Sequence, residues 1–240
     1  MGFYGLFIAI IAGVLALLVS FTLDSIWTGT LGAGNVYYTL RAPGIIVHEC
    51  SHILGCFVTG AEIKNVVLVS RTGGSVTYSR PPVPFLGDIV INAAPLFIIP
   101  LVLYGCTWFF STYLGCVIPV LTITAVSPGA VLEIAGQITG MFAGNLVFRF
   151  NPWFVLYLYL TVSLVLSLAP SSRDMKNAAA GIALIALGCT IVIWSGIPVL
   201  ISALDQAAAV IGLDLGLGLG SGIVALVVSL PLVAVHAYRR

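Results

Sequence analysis

His48, Glu49 and His52 fall within five consecutive residues, His48-Glu49-Cys50-Ser51-His52, inside an apolar run. On a helix, positions i and i+4 lie about 40° apart around the axis and about 6 Å apart along it. Two imidazoles so placed can bind one tetrahedral divalent ion such as Zn²⁺. A carboxylate beside the first ligand can act as general base toward a water acidified by that ion. The chain has only 3 histidines and 8 carboxylates, so chance is a weak explanation for this register. The apolar setting adds to the argument. An ionisable group inside a membrane span costs ~2.5–3.5 kcal/mol or more, so it normally faces a cavity or a partner. One metal ion would account for all three polar residues together.

A catalytic zinc usually takes three protein ligands and keeps a fourth position open. The remaining histidine, His236, stands beside Arg239-Arg240 and reads as interfacial. The remaining carboxylates are Asp24, Glu62, Asp88, Glu133, Asp174, Asp205 and Asp214. Most fall in predicted loops or at span ends, where water solvates them. Asp174 stands out because Pro170 precedes it and apolar runs flank it on both sides. Proline breaks a helix and lets the backbone turn toward a site at that depth. Glu133, in a segment broken by glycine and proline, is the alternative. A solvated turn at Arg173-Asp174-Met175-Lys176 is the plain structural reading.

The elements that must position these groups are membrane helices. Of the 240 residues, 60% are hydrophobic and 7% charged, with a mean hydropathy of +1.16. Soluble domains carry roughly 25% charged residues, so this composition suits lipid. A net charge of +1 offers no basic field for nucleic acid. The 5 cysteines form no CxxC pair, which argues against a zinc ribbon or disulfide framework. Runs of about 20 apolar residues mark spans. They are expected at Tyr4–Leu23, Ile89–Phe110, Trp153–Leu168, Ala178–Leu200 and Gly222–Tyr238, with the shorter Gly44–Gly60 carrying the motif. The first run lacks a basic leader and reads as a retained helix. Leu114–Phe148 is broken by Pro119 and Pro128 and reads as one broken crossing or two half-helices. The expected fold is an all-α polytopic membrane protein with six or seven transmembrane helices. Asp24–Asn35 and the glycine-rich Gly212–Gly222 are expected to be loops. Ile63–Arg80 differs: two β-rich runs flank Gly73-Gly74, a hairpin signal, and Pro81, Pro82 and Pro84 end it.

These residues together resemble the site-2 protease family of intramembrane zinc metalloproteases. His48-Glu49-Cys50-Ser51-His52 followed by Gly60 is similar to the family's HExxH helix and its closing glycine. The hairpin resembles the β-segment after that helix, and Asn92-Ala93-Ala94-Pro95-Leu96 resembles the Ala-Gly-Pro-Leu helix. Ser167-Leu168-Ala169-Pro170-Ser171-Ser172-Arg173-Asp174 resembles the segment that carries the family's third zinc ligand. It departs in having Ser167 for asparagine and Met175 for glycine, in lacking the second Pro-Leu pair, and in setting Pro170 one residue closer to the aspartate. The resemblance spans roughly residues 40–180.

It implies that His48, His52 and Asp174 hold Zn²⁺ and that Glu49 is the catalytic base. It also implies that Val66, Val67, Leu68, Gly73, Gly74 and Asn92 bind an unwound transmembrane peptide, which the hairpin takes as an added strand along Val66–Val69 or Val76–Tyr78. The chain is then expected to be one membrane-embedded domain over 1–240. Residues 40–180 form the metalloprotease core, and 1–39 and 181–240 add helices and loops. Its partners are the lipid bilayer and a membrane-protein substrate. Two rivals stand beside this reading: a transporter or metal permease using His48, Glu49 and His52 as a transit site, and a non-catalytic scaffold of the same fold. Counting crossings so that His48 and Asp174 meet at one depth puts Arg41, Arg173, Lys176, Arg239 and Arg240 on the cytoplasmic side. Lys64, Arg71 and Arg80 fall opposite. That asks for a hairpin folded back into the membrane or a motif helix short of a full crossing.

Overall fold

A computed structural model describes residues 4–70, 73–121 and 128–238. It is mostly helical. Helix α1 (Tyr4–Leu31) is followed by α2 (Asn35–Thr59), which carries the His-Glu-x-x-His run. Strands β1 (Ile63–Ser70) and β2 (Gly73–Tyr78) pair antiparallel. Then come α3 (Leu86–Tyr113), α4 (Pro128–Phe142) running into a π-helical turn (Ala143–Phe148), α5 (Pro152–Leu166), α6 (Ser172–Ser195) and α7 (Pro198–Tyr238). The expected hairpin is therefore present; its turn residues Arg71 and Thr72 lie outside the described residues, as do Arg239 and Arg240.

Among the described residues, three stretches are long and apolar enough to cross a membrane: Ala9–Leu31, Leu86–Tyr113 and Pro198–Tyr238. This is fewer than the six or seven expected. Helix α5 and the Ala180–Ser195 part of α6 are apolar but shorter. Large apolar side chains such as Phe57, Leu132, Trp194 and Val199 stand on the outer surface. Water penalises such a surface and lipid does not.

Two expected loops are helical, and packing explains both. The segment after Asp24 continues α1 to Leu31 because it lies against α7: Trp27 Nε1 donates to Ser229 Oγ at 3.0 Å, and Gly29 packs on the His236 ring. The Gly212–Gly222 run is the middle of α7. Its glycines serve as sites of close approach, as small residues do between membrane helices. Gly212 meets Ala9, Gly218 meets Pro100, Gly222 meets Val19, and Gly220 faces the Leu121 backbone. Tertiary contact here outweighs the roughly 1 kcal/mol per residue by which glycine disfavours a helix.

The main core joins α1, α3, α5 and α7 through Leu23, Ile99, Leu103, Val165 and Leu219. Beyond α3 the chain runs extended, so its backbone needs partners other than its own helix. Buried Asn145, in the π turn, meets that need. Its Oδ1 accepts from the Val117 amide at 2.9 Å, and its Nδ2 donates to the Val117 carbonyl at 2.8 Å. Asn151 Nδ2 donates to the Leu114 carbonyl at 2.9 Å. The expected Leu114–Phe148 break is thus an extended stretch followed by a helix; residues 122–127 lie outside the described set.

The close approach at Gly220 gives a test. Gly220→Val would drive a side chain into the Leu121 carbonyl, an overpacking cost of ~1–3 kcal/mol. Gly105, in α3, has open space around it. Thermal unfolding in detergent should drop by several degrees for Gly220→Val and stay near wild type for Gly105→Ala.

Candidate metal centre

Helix α2 places His48 and His52 one turn apart on its buried face, with ring centroids 4.8 Å apart. Each imidazole is locked by a main-chain carbonyl. His48 Nδ1–H donates to Ser167 O at 2.6 Å, and His52 Nδ1–H donates to Ile91 O at 2.8 Å. A carbonyl can only accept, so each Nδ1 carries a proton, and in the neutral ring this leaves the Nε2 lone pair free for a metal. This outer bond fixes the tautomer and ring plane of a metal-ligating histidine.

Ser167 caps α5 and Ile91 lies in α3, so both helices must come unusually close to α2. Two glycines permit it. A Cβ on Gly44 would overlap the Ser163 carbonyl, and one on Gly55 would lie 2.7 Å from Ile91 Cα. Pro43 lacks an N–H, yet α2 continues through it. The neighbouring Gly44 N–H donates across to Ser163 Oγ at 3.0 Å. Each glycine stands about one turn beyond the histidine whose anchor it admits.

Asp174 meets the pair from α6. Its Oδ2 is 3.7 Å from His48 Nε2 and its Oδ1 is 3.7 Å from His52 Nε2. These gaps are too long for hydrogen bonds. A tetrahedral ion with bonds of ~2.0–2.1 Å would set its ligand atoms about 3.3–3.4 Å apart, close to the spacing seen. The three ligand atoms lie within 4.8 Å of one another, and all three residues are buried. Two neutral imidazoles and one carboxylate form a donor set suited to a divalent ion.

The carboxylate is held by a capping box. Ser171 N–H donates to Asp174 Oδ2 at 2.8 Å, and Asp174 N–H donates to Ser171 Oγ at 3.2 Å. This reciprocal pair ties Asp174 to the start of α6. It turns the carboxylate toward the histidines and away from Arg173 and Lys176, with which it forms no ion pair. The other ligand candidates lie elsewhere. Glu133 is exposed on α4, accepting from Gln137 at 3.2 Å, and His236 packs between α7 and α1.

Glu49 is 6% exposed and lies beneath β2. A Cβ on Gly74 would fall 2.7 Å from Glu49 Oε1, so only glycine leaves the carboxylate its place. Glu49, both histidines and Asp174 open into a cavity of about 590 Å³ whose wall includes residues Gly74 to Tyr78. Side chains of successive strand residues point to opposite faces. Five consecutive residues bordering one cavity therefore present an edge, and β1 occupies the other edge. Gly73 borders a second cavity of about 320 Å³ that reaches His48 and Glu49 from the α1 side. Val66, Val67 and Leu68 belong to β1 and do not line the larger cavity.

Asn92 does line it, but its amide is spoken for. Nδ2 donates to Tyr78 Oη at 2.8 Å and to the Asp88 carbonyl at 2.6 Å. Tyr78, whose phenol burial holds above its usual pKa, thus keeps a hydroxyl hydrogen to offer. On the other flank, Arg41 Nη1 donates to Asp24 Oδ1 at 2.8 Å, and Tyr37 also bonds Asp24. Arg41 Nε donates to Ser167 Oγ at 3.0 Å. The residue whose carbonyl orients His48 is therefore itself tethered to α1. Sequence reasoning gave no site role to Ser171 or Arg41, and took Tyr78 only as the end of the strand run Val76–Tyr78. Of these only Ser171 left a readable sign, the spacing Ser171-x-x-Asp174.

No family model, curated protein or solved structure matches the chain. The site's meaning rests on its own geometry.

Metal analysis tests the ligand set. Purified wild type is expected to hold one equivalent of Zn²⁺ and Glu133→Ala to keep it, while Asp174→Ala loses it or binds at least about 100-fold more weakly. Gly55→Ala, which pushes the Ile91 carbonyl from His52, should weaken binding by about 10- to 100-fold, the range for outer-ligand loss.

Proposed function

We propose that this chain is a zinc-dependent endopeptidase that cuts a transmembrane peptide within or near the bilayer. The observation that carries the reading is the buried Glu49 carboxylate beside a His48/His52/Asp174 group, under a free strand edge, in one cavity. In this reading six or seven segments cross or enter the membrane: the three long helices, with α2, α5, α6 and the α4 region completing the bundle. The resemblance to site-2 proteases points the same way.

A zinc ion held there would polarise a substrate carbonyl and acidify a water. The chain's own residues supply the rest. His48 and His52 are locked with Nε2 outward, and Asp174 brings compensating negative charge into a low-dielectric site. Glu49 accepts a proton from the attacking water and passes it to the leaving amine. The edge of β2 offers main-chain donors and acceptors from Gly74 to Tyr78. A peptide bond in a helix is shielded and internally hydrogen-bonded. A substrate that unwinds and pairs with this edge exposes it and aligns it beside Glu49. The Tyr78 hydroxyl and the Asn92 amide that holds it sit along the same wall.

A transit site for ions favours ligands that exchange readily. Imidazoles anchored on two separate helices favour a resident ion instead, and a permease has no use for a carboxylate seated under Gly74.

Glu49→Gln separates the readings. The amide fits the same space and cannot take the proton. The variant should bind zinc as wild type does and cut a model transmembrane peptide at least about 100-fold more slowly. Gly74→Ala, which displaces the Glu49 carboxylate, should also keep zinc and lose tenfold or more in kcat. Turnover within a few-fold of wild type in Glu49→Gln would remove the base role and the protease reading with it.

A further inference from the structure

Two arginines face the larger cavity and form no ion pair with a carboxylate. Arg80 follows β2 by two residues, and Arg173 is the second residue of α6. Both are exposed and both line the cavity. Among the described residues, the recorded ion pairs are Arg41–Asp24 and the contacts of Asp174 with His48 and His52; neither Arg80 nor Arg173 takes part in one.

The position of Arg173 is unfavourable for a cation. The first turn of a helix carries the positive end of its dipole, and the adjacent Asp174 belongs to a group suited to a divalent ion. Helix stability therefore gives no reason for an arginine there. Asp88, the other carboxylate of the wall, is placed where helix stability does favour it, in the first turn of α3. A bound dication is balanced by Asp174 and Glu49. Asp88 then offsets one arginine of two, and the mouth keeps a positive balance.

We propose that Arg80 and Arg173 select substrates by charge, admitting membrane peptides whose flank carries Asp or Glu and turning away those flanked by Lys or Arg. The proposal rests on the protease reading and names the substrate class for that site. The strand edge sets the position. Glu49 lies against Gly74, and Arg80 is six residues further along the chain. At about 3.3 Å per residue, a peptide paired along β2 from that point meets Arg80 about five or six residues from the cut. Because Lys and Arg are the common flanking residues on the cytoplasmic side of membrane spans, such a mouth would exclude many ordinary membrane proteins found there.

The test uses three peptides with one apolar span and Asp-Asp, Asn-Asn or Lys-Lys about five residues from the cut, in phosphatidylcholine vesicles. Binding is measured on zinc-loaded Glu49→Gln protein and kcat/KM on wild type. The Asp-Asp peptide should bind, and be cut, about tenfold better than the Lys-Lys peptide, with the gap shrinking in 0.5 M salt as screening grows. Arg80→Gln/Arg173→Gln should erase the preference and Arg80→Glu/Arg173→Glu should reverse it. Equal binding of all three peptides overturns the proposal, and so does a preference that survives the double variants or follows only the charge of added anionic lipid. Charge-blind cleavage would overturn this inference alone. Failure to bind or cut any of the three overturns it together with the protease reading.

Discussion

The site depends on two hydrogen bonds, His48 Nδ1–H to Ser167 O and His52 Nδ1–H to Ile91 O. Each fixes an imidazole so that its Nε2 faces Asp174, and each requires a neighbouring backbone to lie almost against α2. That constraint reaches outward through the fold. Gly44 and Gly55 are glycine because a β-carbon would collide with α5 and α3. Gly181, on α6, meets Ile89 and the Phe85 carbonyl, so α6 is pressed on α3 and Asp174 is brought to the same depth. The His48/His52/Asp174 group is thus a consequence of three close helix contacts, each made at a residue without a side chain.

Charge organises the same region. Removing a dication from water is costly unless anionic ligands and nearby carboxylates compensate it. Asp174 and Glu49 are both buried at the site, and together they match a doubly charged ion. Arg41 is neutralised separately by Asp24 and tethers Ser167. Arg80 and Arg173, which form no ion pair, stand at the cavity wall, where water or a substrate can answer them.

The motif and the hairpin were legible because each is local. The register of His48, Glu49 and His52 is one helical turn, and the pattern around Gly73-Gly74 is a strand-turn-strand signal over a few residues. Asp174 was legible only in part: Pro170 and the flanking apolar runs drew attention to it, while the capping box with Ser171 supplies the orientation. The glycines misled in α7, because a Gly-Leu run reads as a loop when glycine is weighed by propensity alone. Its partners, Ala9, Pro100, Leu121 and Val19, lie 99 residues or more away in sequence, so no local window contains the reason for the helix. The same holds for Asp24–Leu31, which is helical because Trp27 and Gly29 pack on α7. Val66–Val69 and Val76–Tyr78 read as equal candidates for the receiving strand, and pairing leaves each strand one open edge; only the cavity wall singles out β2. Which strand lies outermost toward a cavity is a property of tertiary packing.

The central claim is that His48, His52 and Asp174 hold one zinc ion with a position left open. X-ray absorption at the zinc edge of the purified protein tests it most directly. The account predicts two imidazole nitrogens and one or two oxygens at about 2.0–2.1 Å, with no sulfur. A sulfur scatterer at about 2.3 Å, which would bring in Cys50 from the same turn of α2, or a shell of oxygens without imidazole, would contradict it.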